Sequence, residues 1–166
     1  MKGIIAGNAK VYSKQIVKKM TDAGYSVQVF LLNAASMGVP QKRERVFFIG
    51  HKKELNFGKL RLEFNEKGIT FGVFGKHEKH SRSKSDNRFG DVILKMDKVA
   101  NTICVTNDYF VEKDYQKPIN ASLIQIGTFP LDYNFKSTEP KYLIGMSVPP
   151  VMIAQIATKI KNQWFG

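Results

Sequence analysis

Hydrophobic and polar positions in the first third of the chain follow two different periods. Residues 12–23 place apolar side chains on one helical face and lysines around the other, and Gly24 follows as a helix-ending residue. Residues 25–32 first alternate and then become wholly apolar, and a second apolar run occupies residues 46–49. Continuous apolar runs of this length are typical of strands that are buried on both faces. The pattern therefore predicts a helix followed by a β-hairpin of buried strands.

The bend of this hairpin concentrates polar side chains. The chain turns through Gly38 and Pro40 and continues into Gln-Lys-Arg-Glu-Arg at residues 41–45. Arg43 and Arg45 are two residues apart on an extended segment, so they are expected to point the same way. Each carries a planar fork of donors that suits a phosphate or a base edge. A functional cleft and a solvated charged turn are both compatible with these residues alone.

Residues 54–118 have a different character. Short apolar patches at residues 69–74, 92–94 and 103–105 are separated by Gly, Asn, Asp and Ser, which predicts a small, mostly β insertion. Within it lies a densely basic loop that contains Lys76, His77, Lys79, His80, Arg82, Lys84 and Arg88. A mobile solvated segment and a loop that binds successive phosphates both fit that composition.

The last part of the chain, residues 119–166, is predicted to be largely helical. Asn120 is expected to cap a short helix at residues 121–125. Pro149 and Pro150 precede a second helix and fit its entrance, where a missing N–H costs nothing. Helices on either side of strands predict an α/β fold.

The composition of the 166 residues, 43% hydrophobic and 24% charged, is typical of a globular protein. No apolar run approaches the roughly 18 residues of a membrane span and the N-terminus lacks a signal-peptide pattern, so a cytoplasmic protein is predicted. Cys104 is the only cysteine, which excludes an internal disulfide. The histidines offer only one weak His-x-x-His pair, and a solvated pair is a better explanation of it than a metal site.

The charge of the chain indicates the class of its partner. The chain has 26 Lys and Arg against 14 Asp and Glu, and its net charge of +12 attracts polyanions. The absence of a basic amphipathic helix with bulky apolar surface residues argues against a lipid surface, so nucleic acid is the expected partner.

Three groups of residues together resemble one family. Gly38-Val-Pro-Gln-x-Arg-x-Arg45, followed by an apolar strand and Gly50, resembles motif VIII of the DNA (cytosine-5) methyltransferases. A short helix that ends in Phe-Pro-x-Asp-Tyr, residues 129–133, resembles motif IX, and Gly-x-Ser-Val-Pro-Pro, residues 145–150, resembles motif X. The opening Lys-Gly-Ile-Ile at residues 2–5 resembles the segment that follows motif VI.

The resemblance implies an α/β fold, namely the C-terminal half of a methyltransferase-type domain with a small, mostly β target-recognition domain inserted. Residues 1–53 would be a partial catalytic domain that includes motif VIII. Residues 54–118 would be the target-recognition region. Residues 119–166 would carry motifs IX and X back to the catalytic domain.

Roles for individual residues follow from the same resemblance. Arg45 would assist catalysis by contacting the O2 edge of the flipped cytosine, while Gln41 and Arg43 would order the loop and the DNA backbone. Ser147 and Val148 would belong to the pocket for S-adenosylmethionine. Double-stranded DNA is the implied partner, and its candidate ligands are Lys42, Lys76, Lys79, Arg82, Lys84, Arg88 and Thr102.

The front half of the family's pattern is missing from this chain. It has no Gly-rich loop after an opening strand, no Pro-Cys dipeptide and no Glu-Asn-Val. Cys104 follows Ile103 and has no neighbouring base that would lower its pKa, so a structural role is expected for it. We therefore predict the C-terminal part of a methyltransferase, inactive without a separate N-terminal half.

Two other functional hypotheses also fit the sequence. A non-catalytic DNA-binding module or remnant is the main alternative, and a generic RNA-binding protein is a distant third because no aromatic RNA-binding strand or GXXG clamp is present. An isolated C-terminal half would leave strands and helices without packing partners, so self-association is also predicted.

Overall fold

The structure, a computed structural model, describes residues 10–78, 90–112 and 115–166. It has an α/β fold that divides into two compact units. Of the described residues, the first unit contains 10–33, 44–63 and 155–166, and the second contains the remainder. This is not the division into three functional parts that the sequence suggests, and the roles of those parts stay predictions.

The first unit is built on a helix and a hairpin. Helix α1 spans Lys10–Asp22, and Gly24 terminates it at φ +89°, a conformation that favours glycine. Strands β1, Tyr25–Asn33, and β2, Glu44–Lys52, pair antiparallel along their whole length. These elements confirm the predicted helix and hairpin.

One face of the hairpin is covered by the chain that follows it. The Gln28 amide donates to the Leu60 carbonyl at 3.0 Å and accepts from the Leu60 N–H at 2.7 Å. The Trp164 indole donates to the Gly58 carbonyl at 2.9 Å and stacks on Phe57 with ring centroids 5.5 Å apart. The segment after β2 and the end of the chain therefore pack together within this unit.

The other face is only partly covered, so the expectation of burial on both faces is wrong. Val29 and Leu31 of β1 are 40% and 42% exposed, and α1 has no buried residue. Among the described residues this sheet has two strands, and α1 alone is too narrow to cover its outer face.

The second unit holds the main hydrophobic core. One strand pair contributes to it: β4, Asp91–Leu94, runs parallel to β5, Asp108–Val111. In the same unit the two-residue strands β3, His77–Glu78, and β6, Lys117–Pro118, pair antiparallel. The buried cluster consists of Phe71, Leu94, Ala100, Ile103, Tyr109, Val111, Leu123, Ile126 and Ile144.

Two of the three predicted strand patches take other conformations. Residues 92–94 form a strand as expected, whereas residues Phe71–Val73 form a 3₁₀ turn closed by the Phe74 N–H on the Phe71 carbonyl at 3.3 Å. Residues 103–105 join no strand, because side chains take up their backbone N–H groups. Gln41 accepts from the Ile103 N–H and the Tyr109 hydroxyl accepts from the Cys104 N–H.

Three helices close the chain. Helix α2 spans Asn120–Ile126, and its N-cap is Ile119, so the predicted cap at Asn120 is wrong. Helix α3, Pro140–Met146, was not predicted by the sequence pattern. Helix α4, Pro150–Ile160, begins at the predicted proline and continues into a π-helical turn, Lys161–Phe165.

The stretch Pro140–Phe165 has the length of a membrane span and a window of mean hydropathy 1.4. The sequence analysis did not expect such a segment. Length and hydropathy are weak indications, since the core helix of a globular protein meets them as well. Here the stretch is interrupted at residues 147–149, and Ile144 and Met152 on either side of the break are buried in the second unit. Of the most apolar window of this stretch, 22% is buried.

Candidate functional site

The segment that carries motif VIII runs in an extended conformation beside Ala100. The Lys42 N–H donates to the Ala100 carbonyl at 2.8 Å, and the Ala100 N–H donates to the Pro40 carbonyl at 3.3 Å. Successive side chains of an extended segment point to opposite sides. Gln41 and Arg43 are accordingly fully buried, while Lys42 between them is exposed.

Gln41 links two distant parts of the second unit. Its Nε2 donates to the Ile126 carbonyl at the end of α2 at 2.9 Å, and its Oε1 accepts from the Ile103 N–H at 3.4 Å. A buried amide with both of its ends occupied fixes the position of the extended segment.

Arg43 is among the largest fully buried side chains of the protein. Its guanidinium donates to the Ile103 carbonyl at 3.2 Å and to the carbonyls of Gly145 and Ser147 at 2.7 Å each. Gly145 and Ser147 lie at the C-terminal end of α3, where a cation is favoured by the helix dipole. Arg43 thus ties the segment before β2 to the chain around Ile103 and to the end of α3.

Arg45 has different surroundings. It lies in β2 of the first unit, opposite Leu32 in the hairpin, and is half-buried. Its Nη1 donates to the carbonyl of the adjacent Glu44 at 2.9 Å. The predicted contact of Arg45 with a flipped cytosine stays a prediction, as does the DNA contact of Arg43, whose side chain has no exposed surface in this conformation.

A hydrogen-bonded cluster surrounds the only cysteine. The Tyr109 hydroxyl accepts from the Cys104 N–H at 2.6 Å and donates to the Thr102 carbonyl at 3.1 Å. Burial raises the pKa of Tyr109 to about 12. The Cys104 thiol is directed at the Thr102 carbonyl at 3.7 Å. The Thr102 hydroxyl donates to the Lys42 carbonyl.

Ser147, predicted to contact S-adenosylmethionine, is held within the chain. Its N–H donates to the Leu143 carbonyl at 2.9 Å, and its hydroxyl donates to the Ile144 carbonyl at 3.1 Å. A hydroxyl that has given its proton keeps two lone pairs. In this conformation the Ser147 hydroxyl has only acceptor capacity left, and its contact with the cofactor stays a prediction. Val148 beside it is half-buried.

The candidate DNA ligands fall into two groups. Lys42 and Lys76 are exposed and Thr102 is half-buried, whereas Lys79, Arg82, Lys84 and Arg88 lie outside the described residues. Three further residues line a cleft of about 280 Å³ with Lys42, namely Lys95, Lys98 and Asn101. They were not predicted from the sequence. The pair Lys-x-x-Lys in a short polar turn after a predicted strand was the available signal.

Comparisons with known proteins bear on this geometry. A sequence model described as C-5 cytosine-specific DNA methylase matches residues 1–117. The type II methyltransferase M.FnuDI of Fusobacterium nucleatum is 39% identical over 64 residues, which are 39% of this chain and 19% of the relative. The type II methyltransferase M1.HphI of Haemophilus parahaemolyticus is 26% identical over 188 aligned residues, which cover 88% of this chain and 50% of the relative.

A solved structure supports the fold over nearly the whole chain. An E. coli prophage-encoded protein, described as a putative DNA modification methyltransferase, superposes with a TM-score of 0.72 at 14% identity, covering 97% of this chain and 67% of the other. The matched region is half or less of the length of M.FnuDI and M1.HphI. Because the family model matches more than half of the sequence, this chain belongs to the C-5 cytosine-specific DNA methylase family.

Proposed function

We propose that this chain is the C-terminal part of a DNA (cytosine-5) methyltransferase. It binds target DNA and helps to hold the flipped cytosine and S-adenosylmethionine, and it is inactive without an N-terminal half that carries the Pro-Cys nucleophile. The observation that carries the proposal is the buried guanidinium of Arg43, which holds Ile103 and Ser147 and so joins motif VIII, the recognition region and motif X within one unit.

The need for a second polypeptide follows from the chemistry of cytosine. Carbon 5 is too weak a nucleophile to take a methyl group until a thiolate has added to carbon 6, and the base must first leave the duplex. Cys104 is the only cysteine of this chain, and its thiol faces a backbone carbonyl rather than a base. The proposal therefore places the nucleophile outside this sequence, on the N-terminal half.

The residues of this chain would take supporting roles. Arg45 would stabilise charge at the O2 edge of the flipped cytosine, and Gln41 and Arg43 would hold the segment that leads to it. Bound S-adenosylmethionine would supply the methyl group, with Ser147 and Val148 at the edge of its pocket.

An apolar surface of the first unit supports the requirement for a partner. Val11, Tyr12 and Ile16 of α1 are exposed, as are Val29 and Leu31 of β1. Val29 also lines a groove with Ser13 and Val17 of α1, and apolar surface left exposed in this way is typical of an interaction site. We propose that the N-terminal half covers this surface, and that the isolated chain associates with itself through it.

The test is to mix the chain with a polypeptide that carries the missing motifs and to follow labelled methyl transfer from S-adenosylmethionine to duplex DNA. The proposal expects transfer by the mixture and none by either polypeptide alone. Complex formation without methyl transfer would defeat it.

The alternative function is a non-catalytic DNA-binding module. The surroundings of Cys104 favour it for the chain alone, because the thiol faces a backbone carbonyl rather than a base. That function predicts salt-dependent duplex binding without any partner. A charge of +12 should give micromolar or tighter non-specific association near 50 mM salt, and the absence of binding there would count against it.

A further inference from the structure

We propose that Lys42, Lys95, Lys98 and Asn101 form a binding site for the phosphate backbone of duplex DNA. The inference rests on the proposed DNA-binding function and assigns part of it to a definite cleft. That cleft, of about 280 Å³, lies in the second unit between the end of β4, the turn that follows it and the motif VIII segment.

The cleft has the chemistry of an anion site. Its rim carries three lysines and the exposed amide of Asn101, while the buried side chains of Leu94 and Ala100 form part of its floor. Phosphate oxygens accept hydrogen bonds from ammonium and amide groups, and such contacts position a protein on a duplex without reading its sequence. An apolar ligand would give none of these four polar groups an acceptor of its own, whereas a phosphate offers acceptors to several of them.

The backbone that carries the lysines is fixed at several points. The carbonyls of Lys98 and Met96 accept from the N–H groups of Phe71 and Gly72 at 2.9 and 2.8 Å. The Lys98 N–H donates to the Lys95 carbonyl at 3.2 Å. Because the turn is held in this way, phosphate binding has to order only the side chains, which lowers its entropic cost.

Neighbouring carboxylates neutralise the cleft only in part. Lys95 pairs with Glu112 at 3.1 Å, and Lys98 approaches Asp97 at 3.8 Å, but all four side chains are about half exposed or more. Ion pairs of such exposure are weak and exchange readily for other partners. Lys42 has no ion pair among the residues that the structure describes.

The position of Lys42 connects this site to motif VIII. Its side chain faces the cleft while its neighbours Gln41 and Arg43 face the interior, and its carbonyl accepts from the Thr102 hydroxyl. Gln41 and Arg43 fix the motif VIII segment from the interior. A phosphate held by Lys42 would fix the same segment from its solvent side.

The test measures binding of the full chain to a fluorescent duplex of about 20 base pairs between about 50 and 200 mM salt. The variant is Lys42→Gln with Lys98→Gln. The control, Lys10→Gln with Lys14→Gln, removes the same charge from exposed positions on α1. Far-UV circular dichroism checks that both variants are folded.

Loss of two phosphate contacts should reduce the slope of log affinity against log salt by about 1.8. Over that fourfold range of salt, the wild-type chain should lose about tenfold more affinity than the cleft variant. The control should keep the wild-type slope. Equal slopes for both variants would overturn the assignment to this cleft while leaving DNA binding intact, and a wild-type chain that binds no duplex would overturn DNA binding as well.

Discussion

Replacing Arg43 by methionine tests the organisation of the second unit. The change keeps a long apolar side chain but removes the donors to the carbonyls of Ile103, Gly145 and Ser147. A hydrogen bond to a charged group contributes about 1.5–3 kcal/mol. The variant leaves the buried Ile103 carbonyl and the half-buried Gly145 and Ser147 carbonyls without this donor. The three contributions do not add, because the wild-type chain also has to desolvate the guanidinium. We expect the free energy of unfolding to fall by about 3 kcal/mol.

Arg45→Met is the matched control, since it removes the other arginine of the same motif. Arg45 is half-buried and donates to the carbonyl of its sequence neighbour, so its loss should cost about 1 kcal/mol or less. Arg43→Lys should lie between the two. One ammonium nitrogen can replace Nη2, which donates to both the Gly145 and the Ser147 carbonyls, but it cannot also replace Nη1, which donates to Ile103. Urea unfolding followed by far-UV circular dichroism gives all three values. An Arg43→Met chain within about 0.5 kcal/mol of wild type would refute the role assigned to this side chain.

Three further predictions concern other sites. Burial raises the pKa of Tyr109 from 10.0 to about 12, so the unfolded chain loses this proton first. The free energy of unfolding should not depend on this group below pH 10 and should fall by up to about 2 to 3 kcal/mol as the pH rises from 10 to 12. Tyr109→Phe should remove that fall in alkaline urea titrations. Gln41→Leu should lower the free energy of unfolding by about 2 kcal/mol in urea at neutral pH, because the Ile126 carbonyl and the Ile103 N–H lose their partner. An unchanged free energy of unfolding would mean that water replaces the amide. Light scattering should show the isolated chain as an oligomer that Val29→Ser with Leu31→Ser dissociates, whereas a stable wild-type monomer would contradict the exposed apolar surface as a binding site.

Local patterns predicted the local elements well. The helix, its glycine end and the hairpin follow from periodicity and from the conformational freedom of Gly24, none of which depends on distant residues. The exposure of Val29 was not predictable, because a strand sequence shows that a face is apolar and does not show what covers it.

In the candidate site the residues could be located from the sequence, but their surroundings could not. Motif VIII could be located from its residues, but the burial of Arg43 depends on carbonyls that lie 60 to 104 residues away, a distance that no local pattern encodes. The cap predicted at Asn120 was also wrong. The chain enters α2 from the short strand β6, and the Ile119 carbonyl accepts the Ser122 N–H.

The most direct test of the account is the identity of the base that the reconstituted enzyme modifies. Duplex DNA is incubated with S-adenosylmethionine, this chain and a polypeptide that carries the Pro-Cys motif, and is then digested to nucleosides for mass spectrometry. The account predicts 5-methyldeoxycytidine from the mixture and none from either polypeptide alone. A complex of the two polypeptides that yields no methylated cytosine, or that methylates another base, would contradict it.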